Sequence, residues 1–328
     1  MIRKSLPIRL AKPALSALLG LLVAASAGAQ SYPDKPIRLV VPFAAGSATD
    51  SLARALAVEM APDMKSAAVV ENRPGANGML AAQQVAQAAP DGYTVFITTN
   101  TTQAANPHLY KTLTYDPVKD FAPVSGLNRG GAQVMLVNPR LAAKNLAEFI
   151  ALAKSSPRPL TFGHGSSTAR VAAELLQQMA GLKMQQVPYK SNVFAITDLL
   201  GGQIDMTITD LATGLPQVKA GKLRALGVSS LTRSSLAPEI PTIDEEGMKG
   251  YELAFWSAAY VPARTPAEVI DKLQGMIARA SRGPAMQSYY QMTGSQMFIT
   301  QPDELARFQE AEAQKWGRVI RGARMEPE

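Results

Sequence analysis

The stretch Ile37–Asp50, IRLVVPFAAGSATD, constrains the fold more than any other part of the chain. Ile37 to Val41 is apolar except for Arg38 and runs into Pro42-Phe43. Short and β-branched, it has the pattern of a parallel strand covered on both faces. Ala44-Ala45-Gly46-Ser47 breaks the run, and Leu52, Ala55, Leu56, Glu59 and Met60 then recur at helical spacing. The loop between them joins the carboxyl end of a strand to the amino end of a helix. Such a helix end offers unpaired N–H groups and the positive end of the helix dipole, which suits an anion. Ser47, Thr49 and Asp50 are all types that cap helices, and capping alone accounts for them here.

The same layout recurs. Val69-Val70 ends a second strand, and Glu71–Gly78 is a turn rich in Gly, Pro and Asn. Met79–Ala89 reads as a helix stopped by Pro90-Asp91-Gly92, and Tyr93–Thr99 as a third strand followed by Asn100-Thr101-Thr102. Strand–helix alternation argues for an α/β chain with a parallel sheet, whose ligands bind beyond the carboxyl ends of the strands. The loops at 44–50 and 100–102 would then share one rim. Tyr115–Val124 reads as irregular, and the three glycines in Gly126–Gly131 suggest a crossing between domains. Val134–Val137 opens a new set of strands, and Leu160–Gly163, the loop His164–Ser167 and the helix Thr168–Ala180 form a second strand–loop–helix unit. Ser166, Ser167 and Thr168 bring hydroxyls to that second helix start. A strand ending at Asp210, an extended Tyr251–Tyr260 and a C-terminal helix over 303–322 follow, the last expected to pack back on the first domain.

The first residues read as a leader. Arg3, Lys4, Arg9 and Lys12 precede the apolar Ala14–Ala25, and Ala27-Gly28-Ala29 is a small-residue cleavage site, so the processed chain begins at Gln30. The apolar stretch is shorter than the roughly 20 residues a membrane span needs. Removing 29 of the 328 residues leaves 299, enough for two α/β domains. The basic excess of 33 over 26 falls to 29 over 26 without the leader, and no basic stripe carries interleaved aromatics, so nucleic acid is not an expected partner. There is no cysteine, hence no disulfide and no lipoprotein attachment site; export without cysteine fits a bacterial periplasm.

The chemistry of common enzymes is missing. The two histidines, His108 and His164, are far apart in sequence, and no cluster has zinc spacing. There is no G-x-S-x-G elbow, no phosphate-binding Walker loop, and no G-x-G-x-x-G after the first strand, so no metal, dinucleotide or other cofactor is expected. A hydrolase using Ser166 with His164 is the catalytic alternative. Its two groups would sit in one tight loop, where base and nucleophile normally come from different elements. What remains is two loops rich in hydroxyls and amides, one per domain, able to grip a carboxylate across a cleft that closes by a hinge.

Several segments together resemble the Bug-type proteins, the periplasmic substrate-binding subunits of tripartite tricarboxylate transporters. They are YPDKPIR (Tyr32–Arg38) leading to VPF, VENRPGANG (Val70–Gly78), APDGYT (Ala89–Thr94) and NPHLYKTLTYDPVKDFAPVS (Asn106–Ser125). VPYK (Val187–Lys190), TDLLGGQIDM (Thr197–Met206), VKAGKLRALGV (Val218–Val228) and VPARTP (Val261–Pro266) follow in the same order. The resemblance implies a two-domain periplasmic-binding-protein fold, type II-like, with a ligand cleft between the domains. After the 1–29 signal peptide, it places the first domain at 30–128, the second at 129–255, and the return to the first at 256–328. The implied ligand is a small carboxylate: a di- or tricarboxylate, an acidic amino acid or an aromatic acid. The implied partners are membrane permease subunits or a sensor kinase, and a monomer is the expected state.

By match, the carboxylate would be held by Phe43, Gly46, Ser47, Ala48, Thr49 and Asp50, and by His164, Gly165, Ser166, Ser167 and Thr168. Asn100, Thr101, Tyr189 and Asp210 would line the same cleft. Ala45-Gly46-Ser47 departs from the family's P-G-G. The second loop looks shorter and less glycine-rich than the usual pattern. Phe194 stands where a small residue is usual and is expected either to wall the pocket over an apolar ligand body or to fill the core. Arg170 reads as a solvated side chain or a carboxylate partner, and Trp256, Trp316 and His108 as packing residues. An interaction protein with a vestigial cleft is the third alternative.

Overall fold

The computed structural model describes residues 32–328; the expected leader and its cleavage point lie outside them. The first half alternates as its sequence suggests: β1 (Ile37–Val41), α1 (Ala48–Met60), β2 (Ala68–Asn72), α2 (Met79–Ala86) and β3 (Thr94–Thr99). β1 lies between β2 and β3, parallel to both. Ile37, Leu39, Val40 and Val41 are fully buried, as a strand covered on both faces requires. Asn100–Thr102 is not the open loop expected: Thr101–Ala105 winds as one wide π-helical turn into the short α3 (Asn106–Leu109). That turn keeps Asn100 and Thr101 buried at the rim.

One strand, β4 (Phe121–Val137), joins the halves. The stretch read as irregular thus becomes strand from Phe121, and Val134–Val137 is its end rather than a new strand. The glycines taken for a crossing sit at irregularities: the register shifts at Pro123/Ser125, Gly126/Asn128 and Arg129/Ala132, with Gly130 and Gly131 at positive φ. Bulges let a strand of 17 residues bend and carry a proline without ending.

The second half continues with α4 (Leu146–Ser155), β5 (Thr161–His164), α5 (Ser167–Ala180), β6 (Gln185–Pro188) and α6 (Asn192–Gly201). β7 (Met206–Asp210), α7 (Leu211–Lys219) and β8 (Arg224–Val228) complete it. The chain then returns through β9 (Ala254–Pro262), α8 (Ala267–Ala280), α9 (Pro284–Thr293), the short β10 (Gln296–Met297) and α10 (Pro302–Gly322). The strand order is β2-β1-β3-β9-β4-β7-β5-β6, with β8 and β10 also on β4. β4 pairs with β9 as far as Ala132, and with β7 and β8 from Gln133 onward.

The core is organised the same way. One apolar cluster, Leu52, Leu56, Ile97, Val124, Leu273 and Tyr289 among others, lies behind the first half; another, Val134, Leu199, Leu211 and Leu215, lies in the second. A third runs through both, from Phe96 and Phe121 to Phe149, Phe162 and Val171, and takes in Trp256 and Trp316. α10 packs over the π-helical turn and β4 and also touches α5, so it reaches both halves rather than the first alone. His108 and Trp256 serve this packing: His108 Nε2 meets the Ala313 carbonyl at 2.8 Å, and Trp256 Nε1 donates to Glu312 at 3.1 Å.

Candidate functional site

Four helices begin at one cavity. Their N-cap residues are Ser47 (α1), Ser166 (α5), Ser191 (α6) and Asp210 (α7), and all four line it. β1, β5 and β7 deliver three of these helix starts at their carboxyl ends, where an α/β sheet holds its ligands. Ser47 Oγ accepts from Asp50 N and Ser166 Oγ from Ala169 N, each at 3.2 Å. Asp210 Oδ1 accepts from Thr213 N at 2.9 Å. Ser191 breaks the pattern: its hydroxyl caps nothing and, buried, has no hydrogen-bond partner. Four positive helix ends and an unused hydroxyl facing one space are chemically able to receive an anion.

Of the residues expected from sequence, the cavity brings together Phe43, Ser47, Ala48, Thr49, Asn100, Thr101, Ser166, Thr168 and Asp210. Asn100 Nδ2 donates to Thr168 Oγ1 at 2.7 Å, and the Thr101 and Thr168 hydroxyls lie 3.1 Å apart. The rim of the first half is thereby tied to the first turn of α5. Ser167 adds to this tie from behind, donating to Asn106 Oδ1 at 2.6 Å, and does not face the cavity.

Six other expected residues stand outside the lining. The Asp50 side chain is not a cap but a brace, accepting from Gly46 N at 2.9 Å, Asn72 Nδ2 at 3.0 Å and Arg54. Burial alone would raise its carboxyl; the Arg54 guanidinium, the Gly46 N–H and the Asn72 amide outweigh that and hold it below the usual carboxylate range. Gly46, at φ +82°, turns the loop into this brace. Gly165 allows a close approach: a Cβ there would meet the Ser191 backbone carbon at 2.0 Å. His164 ends β5 and is 2% exposed, and neither ring nitrogen has a hydrogen-bond partner. Burial and the nearby Arg170 lower it to about 4; Gln186 and Glu328 push back only weakly. Nothing links it to Ser166, so the arrangement lacks the nucleophile–base hydrogen bond a hydrolase needs.

Tyr189 turns its hydroxyl to Asp198 at 2.7 Å, away from the cavity, and its ring lines a separate depression with Asn77 and Tyr110. Phe194 is 45% exposed: one helical step past Val193, which does line the cavity, it rotates out to solvent. Arg170 is buried rather than solvated, paired with Glu328 at 2.6 Å.

Sequence reasoning missed Thr99, Gln133, Thr213, Phe255, Ser257 and Tyr289; it placed the stretch Ser191–Phe194 at the site but named only Phe194 as a ligand contact. Ser191-Asn192 carried a signal, a serine opening a helix after V-P-Y-K. Gln133 and Ser257 come from strand interiors and Tyr289 from α9, with no local mark. The cavity opens to solvent, and with its open mouth counted it holds about 520 Å³ of empty space. Its lining has one acid, Asp210, and no lysine, arginine or histidine. Among the described residues, no group of three or more His, Asp or Glu is placed to hold a metal, and no helix is long and apolar enough to cross a membrane.

Residues 52–325 match the family described as "Tripartite tricarboxylate transporter family receptor". Protein BugT of Bordetella pertussis is 32% identical over 303 residues, covering 91% of this chain and 92% of that one. The periplasmic binding protein BugD superposes with a TM-score of 0.85 at 29% identity, covering 90% of this chain and all of that one. Rpa4515 of R. palustris, solved with adipate, gives 0.86 at 33% identity over 90% of this chain and all of that one. The sheet and these likenesses together establish the two-domain periplasmic-binding-protein fold. The chain belongs to the tripartite tricarboxylate transporter receptor family, and is a Bug-type solute-binding protein rather than a member of an enzyme family.

Proposed function

We propose that this protein is a periplasmic receptor that captures a small carboxylate in the cavity and delivers it to a membrane permease of the tripartite type or presents it to a sensor. The observation that carries this reading is the convergence of four helix starts on a cavity that contains no cationic side chain. A carboxylate can take several N–H and O–H bonds there while the helix dipoles supply the positive potential. The adipate held by Rpa4515 supports the ligand class.

Closure follows from the same frame. Residues 30–128 with 256–328 form one domain and 129–255 the other, and the bulged stretch of β4 around Gly130-Gly131 absorbs their rotation. The ties from Asn100 and Thr101 to Thr168 then belong to the closed form.

The test is a thermal-shift screen of residues 30–328 against aliphatic diacids, citrate-like triacids, acidic amino acids and aromatic acids. A ligand at 100 times its Kd stabilises by about 2.7 kcal/mol. A selective shift that disappears in Thr49→Ala or Ser166→Ala is the expected result. A flat panel from well-folded protein overturns the carboxylate reading.

A further inference from the structure

The cavity is not uniform. Beside the serine-capped helix starts lies a second patch made by Asp210, Thr213, Gln133 and Tyr289. Asp210 and Gln133 are register partners on β7 and β4, and α9, which carries Tyr289, packs against α7. The capping role of Asp210 uses one oxygen: Thr213 N and Thr213 Oγ1 both donate to Oδ1, at 2.9 and 2.7 Å. No hydrogen bond reaches Oδ2 in ordinary geometry, and none of the ion pairs among the described residues includes Asp210. Asp210 is half-buried, and a carboxylate held partly out of water is favoured by a positively charged partner. This one faces a cavity, and the cavity has no cation of its own.

Tyr289 gives the second, independent observation. Tyr289 lines the same cavity with 3% of its surface exposed, and its buried hydroxyl has no hydrogen-bond partner. Asn128 lies beside it, also without an ordinary hydrogen bond. The field of Asp210 reaches the Tyr289 phenol, which burial already raises. Burial also raises the Asp210 carboxyl, against Thr213, its own N–H and Thr209, so a cation beside it would favour its charged form. An unpaired acid and an unused hydroxyl together await a donor that carries positive charge.

We infer that the ligand is a small amino acid, its carboxylate on the serine-capped helix starts and its ammonium received by Asp210 Oδ2 and the Tyr289 hydroxyl. This rests on the receptor reading above and narrows its ligand class. An ammonium has three donors and one charge, which match two unused acceptors and one uncompensated carboxylate. A second carboxylate in the same place would meet Asp210 with no cation to separate them, so a dicarboxylate of equal length is disfavoured.

The experiment is calorimetric titration with length-matched pairs: 3-aminopropanoate against succinate, 4-aminobutanoate against glutarate, and 6-aminohexanoate against adipate, with the corresponding hydroxy acids and the common α-amino acids as further probes. At least one amino acid is expected to bind ten-fold or more tighter than its diacid. Asp210→Asn keeps a residue type that caps α7 equally well and removes the charge. It should weaken the amino acid at least ten-fold and tighten the diacid, which no longer meets a like charge. Tyr289→Phe should weaken the amino acid several-fold. Diacids that bind as tightly as amino acids, or hydroxy acids that match them and ignore Asp210→Asn, overturn the inference while leaving the receptor reading standing. Binding of no small acid at all overturns both.

Discussion

The loops at the starts of α1 and α5 look alike and are held in different ways. Each follows a strand, each is capped by a serine hydroxyl at 3.2 Å, and each faces the same cavity. The first is braced from within its own neighbourhood: Asp50 collects Gly46 N, Asn72 and a two-pronged Arg54. The second has no such acid. It is wedged against α6, with Gly165 N donating to Asn192 Oδ1 at 2.7 Å and a buried, unbonded imidazole behind it. One loop is fixed by a charged brace, the other by close fit and neutral hydrogen bonds. Shape at a binding rim can therefore be set by either means, and the two fail under different insults.

The sharpest way to separate them is at their glycines. Gly165→Ala forces a Cβ to within 2.0 Å of the Ser191 backbone, which must move. We expect a loss of about 3 kcal/mol in urea unfolding together with loss of ligand binding. Gly46→Ala meets no atom within 4 Å and suffers only from its positive φ, so about 1 kcal/mol should go. Equal costs at the two sites would break the comparison.

Acid comes next. The folded His164 value of about 4 lies below its ordinary 6.5, so between the two the unfolded chain binds a proton the folded chain refuses. The stability from a neutral ring is whole above about 6.5 and is lost as pH falls toward 4, by about 3 kcal/mol at most. Melting curves across that range should flatten in His164→Phe; parallel curves for the two proteins would remove the claim. Asp50 is held below the usual carboxylate range, so its share is present above the ordinary 3.8 and is lost only at lower pH. The two loops should thus fail in separate pH windows.

Smaller effects test the brace and the caps. Asp50→Ala abandons Gly46 N and Asn72 and should cost about 2 kcal/mol, with the half-exposed Arg54 adding little. Ser47→Ala and Ser166→Ala should each cost about 1 kcal/mol by thermal unfolding. Because the caps are matched, a large difference between these two would show that one hydroxyl is held by more than its helix.

What was legible in the sequence follows the same divide. Strand–loop–helix units announce themselves through local pattern, so β1, α1, β5 and α5 and the serines that cap the two helices could be read directly. The family motifs supplied the cleft. The role of Asp50 was misread because its brace depends on Asn72, 22 positions away. Phe194 was misplaced because a one-residue step on α6 decides between cavity and solvent. Glycines 126–131 resembled a break, and only the pairing of β4 with β9 and β7 shows a bulged strand running through them. Tyr289 had no signal, since it reaches the cavity from a helix whose neighbours in sequence lie far from it.

The position of β9 bears on the order in which the chain can fold. It lies between β3 and β4, although more than a hundred residues follow β4 before it is made. A growing chain that has not yet reached Ala254 holds two strands with open facing edges, β3 parallel-paired on one side only and β4 on the other. The first half of the sequence therefore cannot close its own sheet during synthesis, and must wait for its late insert. A chain that lacks its last quarter leaves those two strand edges unpaired.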